Sequence, residues 1–411
     1  MIHQFSVANY RSIRDEAILD LRIPGTTPQL SCYRLSQAQP DVRLPTVAVL
    51  IGPNGSGKTT VLRALVNALQ IASARMDQTK QIANVVPFLS NRCAAAPTRF
   101  SIDLESDWLA PGENPRMFRY LLEVKRENES SNGSSVIEAL MRNPASIGYE
   151  ALLHFPKGRP RRLFERSASD NSIYVAPEFD MRPGDDRLKA VRNDSSVIST
   201  LNALNVELAA RIAASFNGYL YATNLDSSGK LNDSTLIEMF DIAPQLLERI
   251  GVELQCSDLG IRGVKLAEVG TSTRTFRFDH KGIEESIPLV WESDGTQRLF
   301  GLLPQIGLAL DDTGLAIFDD IDNRLHVEIV SEILSWFRSR QRNQQDAQLL
   351  VTSHNVGLLD DLEKEEVFIV EKDTDGVTHV HGAQDVAGLR RDARLYPKYR
   401  AGVLGGIPKI G

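Results

Sequence analysis

The hydrophobic pattern changes twice along the chain. TVAVLIG (46–52) is a continuous apolar run ending in glycine. KTTVLRALVNALQIAS follows it, with Val61, Leu62, Leu65, Leu69 and Ile71 recurring at helical spacing. An unbroken apolar run predicts a strand buried on both faces, and the second pattern predicts one face of a helix. Upstream, residues 2–23 predict a strand, a turn at RSIRDE and a second strand, AILDLRI. From about 75 to 290 the texture shifts. RFSIDL, FRYLLEV and ALLHF alternate as antiparallel strands do, and the polar stretch RENESSNGSS (126–135) predicts a loop. SSVISTLNALNVELAARIAASF (195–216) predicts one amphipathic helix capped by Ser195 or Ser196. After 290 the α/β texture returns. A helix near 297–310, the strand GLAIF and a helix across 326–340 precede the strand AQLLVTS and the hairpin EVFIVEKDTDGVTHVH. The chain shows no internal repeat and no sustained heptads.

The two α/β parts predict one split sheet, built from residues 1–74 and 288–411, with 75–287 as an inserted α+β lobe. A length of 411 residues, with 42% hydrophobic and 24% charged, fits a soluble, core-forming chain of that size. The net charge of −7 argues against a globally basic surface for nucleic acid. KGRPRR (157–162) and LRRDARLYPKYR (389–400) are the local basic candidates. Cys32, Cys93 and Cys256 lie far apart, without the spacing of a zinc site or a disulfide framework, which predicts a reduced cytoplasmic protein. The N-terminus lacks a basic region followed by an apolar core, and no apolar run approaches the ~18 residues of a membrane span. No membrane partner is expected.

GPNGSGKTT (52–60) satisfies G-x-x-x-x-G-K-[ST] between the predicted strand and helix. Glycines let backbone N–H groups turn inward around phosphate oxygens, and the helix that follows points its positive end at the same charge. Asn54, Gly55, Ser56, Gly57, Lys58, Thr59 and Thr60 are therefore candidate nucleotide-binding residues. Lys58 is expected to reach the β- and γ-phosphates, and the Thr59 hydroxyl to ligate Mg²⁺.

Further along, Ser293-Asp294-Gly295-Thr296-Gln297 precedes a predicted helix, and FDDID ends a predicted strand with Asp319 and Asp320. His354 closes the strand QLLVTS. Phosphate loop, serine-glycine helix start, acidic strand end and strand-end histidine, in this order, resemble the layout of ABC-type ATPase heads. The opening FSVANYRSI (5–13) is similar to that of the RecF/SMC-like branch. ESDGTQRLFGLLP, DDIDNRLH, TSHN and YRAGVLGGIP look like AAA-family ATPases of phage-defence systems: the RloA group, the PARIS ATPase, and the ATPase portions of OLD and Septu proteins. The similarity covers both ends, about half the chain; the middle matches only in texture.

The resemblance implies an α/β ABC-type P-loop head, a mixed sheet with flanking helices, that binds ATP and Mg²⁺. It implies a head-to-tail dimer or higher oligomer with two ATPs between facing copies. Ser293 and Gly295 would then bind the γ-phosphate held by the other copy, and Asp322 would fall at the dimer-contact loop. Asp319 would hold Mg²⁺ through water, Asp320 would be the catalytic base and His354 would sense the γ-phosphate. Arg11 would lie near the nucleotide, and a glutamine such as Gln78 or Gln81 would approach Mg²⁺. Asp320 is one methylene shorter than the glutamate usual at that position, which predicts slow turnover. Glu371, Asp373 and Asp375 lie in VFIVEKDTDG, whose Asp-Gly ending predicts a hairpin turn rather than a metal site, so no built-in nuclease is expected. A separate effector, a nuclease or toxin encoded nearby, is the implied partner. The alternatives are a RecF-like repair ATPase that clamps DNA and an ATP-dependent oligomeric scaffold.

Overall fold

Val47, Val49 and Ile51 of TVAVLIG face one hydrophobic cluster, and Ala48 and Leu50 face another. A strand between two cores has no polar face, and this is why the run shows no alternation. The computed structural model describes residues 1–73, 80–126, 137–138, 143–169, 172–182, 184–221, 223–225, 233–242, 244–256, 260–269 and 273–407. In chain order the N-terminal strands are β1 (Ile2–Ala8), β2 (Ala17–Asp20), β3 (Tyr33–Leu35), β4 (Arg43–Pro45) and β5 (Val47–Ile51), followed by helix α1 (Lys58–Ser73). RENESSNGSS, beyond its Arg126-side start, lies outside the described residues, as does Gln78.

The central sheet has the order β14-β15-β5-β16-β17, with β14 (Leu315–Phe318), β15 (Gln348–Ser353), β16 (Val367–Lys372) and β17 (Thr378–Gly382). All neighbours are parallel except β16 and β17, which form the expected hairpin. Both chain ends thus supply one sheet: Val351 of β15 pairs with Val49, and Phe368 of β16 with Leu50. Parallel pairing places the C-terminal ends of β5, β14, β15 and β16 on one edge, where ligands bind in open α/β sheets.

A second, antiparallel sheet has the order β10-β9-β8-β7-β6-β1-β2, with β6 (Thr98–Ser106), β7 (Arg116–Arg126), β8 (Ala145–His154), β9 (Arg161–Ser167) and β10 (Ser172–Val175). Strands from residues 98–175 therefore continue the sheet that β1 and β2 begin. Helix α1 is buried between this sheet and the central one. Val61, Leu62, Leu65, Val66 and Leu69 share a core with Phe5, Ile102 and Leu122.

The single helix expected over 195–216 is two, α2 (Val197–Ala203) and α3 (Glu207–Tyr221). Asn205 stands between them with φ 59, the left-handed conformation that ends helices. Val206 N–H turns back to Leu201 O at 2.9 Å, and both side chains stay in the core. Ser196 is the N-cap, accepting from the N–H groups of Ile198 and Ser199. Helix α3 packs on α1. Helices α4 (Asp233–Ile242) and α5 (Pro244–Cys256) lead to a three-stranded sheet of β11 (Ile261–Val269), β12 (Thr273–His280) and β13 (Ile287–Pro288). Helices α6 (Asp294–Leu308), α7 (Val327–Arg338) and the short α8 (Leu395–Arg400) complete the chain. Among the described residues no helix is long and apolar enough to cross a membrane.

One buried carboxylate makes the fold acid-sensitive. Glu105 at the end of β6 is 6% exposed. Burial pushes its carboxyl up, but His3, the N-terminal ammonium, Ser36 Oγ at 2.6 Å and Ala38 N–H at 3.0 Å outweigh that and hold it at about 2. A carboxyl held below its ordinary value contributes stability above pH ~4.5 and loses it as pH falls towards 2, by up to about 3 kcal/mol. The stability advantage over Glu105→Gln in denaturant titrations should shrink across that window. An advantage constant with pH would contradict the assignment.

Candidate functional site

The loop between β5 and α1 turns on two glycines with positive φ, Gly55 at 74° and Gly57 at 111°. At Gly57 a Cβ would stand 2.3 Å from Thr378 Oγ1 on β17, so only glycine fits. Thr378 Oγ1 in turn donates to Ser56 O at 2.8 Å, tying the loop to the neighbouring hairpin. Lys58 opens α1 and is 4% exposed. Its ammonium donates to Gly52 O at 2.9 Å, Pro53 O at 3.1 Å and His354 Nδ1 at 3.3 Å. Those are all the hydrogen bonds an ammonium has to give. Burial lowers the Lys58 pKa, opposed by the charges of Asp320, Asp319 and Asp322.

Asp319 and Asp320 follow β14, adjacent through β15 to the phosphate-loop strand. Asp319 Oδ1 accepts from Thr59 Oγ1 at 3.0 Å and from Thr352 Oγ1 at 2.7 Å. Asp320 Oδ1 lies 3.1 Å from His354 Nε2. Because Lys58 has only donors, His354 Nδ1 accepts from it, which leaves Nε2 as the donor to Asp320. Lysine, imidazole and carboxylate thus form one chain across the cleft. Asp322 accepts from the N–H groups of His354 at 3.1 Å and Asn355 at 2.9 Å, fixing the loop that carries the histidine.

A cleft of about 370 Å³ is lined by Asn54, Gly55, Gly57, Lys58, Thr59, Thr60, Asp320 and His354, together with Ser12 and Lys372. The last two were not singled out by sequence. Lys372 ends β16, beside β5, and a basic residue at the C-terminal end of a strand following His354 was the available signal. Ser12 lines the cleft where Arg11 was expected. The Arg11 guanidinium instead lies 5.5 Å from the Tyr10 ring centre, and Arg11 is not among the lining residues. Ser56 is buried, with its hydroxyl unpartnered.

The residues fit a nucleotide phosphate with a divalent cation. The glycine cradle, the helix start and Lys58 suit phosphate oxygens. Thr59 and Asp319 already meet at 3.0 Å and suit Mg²⁺, which takes one or two protein oxygens and fills the rest with phosphate and water. No group of three or more His, Cys, Asp or Glu that could hold a metal occurs among the described residues. Two acids of VFIVEKDTDG accept hydrogen bonds within the fold. Asp373 accepts from the N–H groups of Asp375 and Val377, each at 2.9 Å, and Glu371 accepts from Gly406 N–H at 2.9 Å.

Ser293 and Gly295 do not line this cleft. Ser293 caps α6 by accepting from Thr296 N–H at 3.1 Å. A Cβ on Gly295 would approach Arg324 O at 3.0 Å. The residues before them, Val290 and Trp291, are 74% and 78% exposed. The side chain of Gln81 lies outside the described residues. Of the two basic stretches, Arg161 pairs with Glu178 at 3.1 Å, Arg162 pairs with Glu165, and Arg391 pairs with Glu365 at 2.8 Å. Three of their nine basic residues are thus paired within the fold.

A search of curated proteins gives no match. Solved structures similar to this chain include the SMC head domain from Thermotoga maritima, at 14% identity and TM-score 0.42, covering 93% of this chain and 98% of that one. An SmcHead bound to the C-winged helix domain of ScpA matches at 12% identity and TM-score 0.45, covering 92% and 96%. An Smc head domain with an extended coiled coil, bound to the C-terminal domain of ScpA from Pyrococcus furiosus, matches at 11% and 0.44, covering 97% and 98%. The family model described as "AAA domain, putative AbiEii toxin, Type IV TA system" matches residues 47–360, from the phosphate-loop strand past His354. That span holds the loop, both acids and the histidine, and the chain belongs to this AAA-domain family.

Proposed function

We propose that the chain binds ATP with Mg²⁺ in this cleft, hydrolyses it slowly, and associates with a second copy of itself when ATP is bound. The observation that carries the reading is the convergence of Lys58, Thr59, Asp319, Asp320 and His354 at the C-terminal edge of one parallel sheet, from segments about 300 residues apart. In this reading the loop N–H groups and Lys58 hold the phosphates. A terminal phosphate oxygen that accepts from Lys58 takes a hydrogen bond now given to Gly52, Pro53 or His354. Mg²⁺ beside Thr59 and Asp319 supplies charge neutralisation for the phosphates.

Asp320 is the candidate base for the attacking water, and two features argue for slow turnover. Its carboxylate sits about one C–C bond, ~1.5 Å, further back than a glutamate's would, where ~1 Å of misplacement can cost ~100-fold. One of its oxygens is also engaged by His354. Asp320→Glu should raise kcat roughly tenfold while leaving ATP affinity in place. An unchanged kcat would mean that the left-handed backbone at Asp320, φ 45, already offsets the shorter side chain.

Ser293 and Gly295, outside the cleft and at a helix start, would bind the phosphate held by the second copy, and exposed Trp291 lies on the same surface. The further reading is that this ATP-dependent assembly regulates a separate nuclease or toxin in bacterial antiviral defence. The toxin–antitoxin wording of the family description and the motif resemblance support it. Co-purification with the product of a neighbouring gene tests it, and recovery of the chain alone would count against it.

A further inference from the structure

The peptide joining Asp319 to Asp320 is held at both ends. Its N–H, on Asp320, donates to Thr352 Oγ1 at 2.7 Å. Its carbonyl, on Asp319, accepts from Asn224 Nδ2 at 2.8 Å. Asn224 Oδ1 also accepts from the Asp319 N–H at 2.7 Å. One side chain therefore clamps both backbone groups of Asp319, which requires a donor and an acceptor on one short planar group. A primary amide supplies them and a carboxylate does not.

Asn224 reaches this position because residues 223–225 run along the free edge of β14. Thr223 bridges Ile317 in parallel register, and Asn224 N–H approaches Ile317 O at 3.4 Å. Leu225 anchors the segment in the core at 7% exposure. The segment lies just beyond α3, which packs on α1, the helix that begins at Lys58. Fixing the orientation of the 319–320 peptide fixes ψ of Asp319 and φ of Asp320. Asp320 sits at φ 45, a left-handed conformation that L-residues disfavour, so without its holders this peptide would relax by rotating. Rotation would re-aim both carboxylates.

We propose that Asn224 is a positioning residue for the two site acids. It acts through the Asp319 backbone, aiming the Asp319 carboxylate at the Thr59 hydroxyl and holding Asp320 against His354. This rests on the nucleotide-site reading above. A purely structural Asn224, one that only covers the sheet edge, would affect stability and leave metal dependence alone.

The test compares Asn224→Asp and Asn224→Ala with the native chain. Asn224→Asp keeps the size and the acceptor but loses the donor to the Asp319 carbonyl. The readouts are affinity for a fluorescent ATP analogue with Mg²⁺ and with a chelator, and the thermal midpoint. The native chain should gain affinity from Mg²⁺. Asn224→Asp should lose roughly tenfold of that gain, with metal-free affinity within about twofold of native, because supports behind a metal ligand typically carry 10–100-fold of metal affinity. Asn224→Ala should behave alike, and where it does not fold Asn224→Asp decides. An unchanged Mg²⁺ gain, or equal losses with and without Mg²⁺, overturns the inference while leaving the nucleotide site standing. A native chain that binds no ATP at all removes the site reading, and this inference with it.

Discussion

Lys58→Ala is expected to abolish ATP binding at the cleft, with a loss of at least roughly 100-fold, or about 3 kcal/mol. Two effects combine. The variant removes a buried ammonium that lines the cleft, and charge-assisted hydrogen bonds are about twice as strong as neutral ones. It also removes the partner of His354 Nδ1, so the imidazole that holds Asp320 is no longer fixed from its other side. Equilibrium binding of labelled ATP measures the loss. Affinity equal to that of the native chain would sink the phosphate-loop assignment.

Ser293→Arg has the second large expected effect, and a different one. Ser293 stands outside the cleft, so one chain should still bind ATP with close to native affinity. A long cation at the start of α6 would block a second copy from approaching there. ATP-driven doubling of mass in sedimentation or light scattering should disappear. Ser293 also caps α6, and losing that bond alone costs about 1 kcal/mol. Ser293→Ala is therefore the control: it removes the cap without adding bulk and should retain more association than Ser293→Arg. Unchanged association in Ser293→Arg would remove the model of facing copies.

The central sheet was legible because its strands are buried on both faces. In β14, Leu315 and Ile317 point into one core while Ala316 and Phe318 point into the other. Every position is apolar, and the two acids that end the run stand out. The phosphate loop was legible for a related reason, since its glycines and lysine answer backbone and charge demands that few other residues meet. Sheet partners were less legible. Alternation in RFSIDL identifies a strand but contains nothing that pairs Phe5 of β1 with Ile102 of β6. The break at Asn205 escaped because Leu201, Leu204 and Leu208 continue the apolar spacing across it.

The residues that hold the acids in place left no pattern at all. Asn224 and Thr352 are single polar residues whose roles depend on which strand edge or neighbour they meet. Arg11 and Ser12 are adjacent in sequence, and only the turn geometry after β1, with Arg11 at φ 50, decides which one lines the cleft. Motif residues announce their chemistry, whereas residues that aim them acquire it from topology.

The central property proposed for this chain is that it holds ATP and keeps it. The decisive measurement is single-turnover retention: native chain in excess over labelled ATP with Mg²⁺, rapid gel filtration, and analysis of the bound nucleotide over time. Nucleotide should co-elute with protein and be recovered mainly as ATP over minutes, turning over more slowly than the ~1–100 s⁻¹ of typical kinases. Elution of the nucleotide free of protein would contradict it.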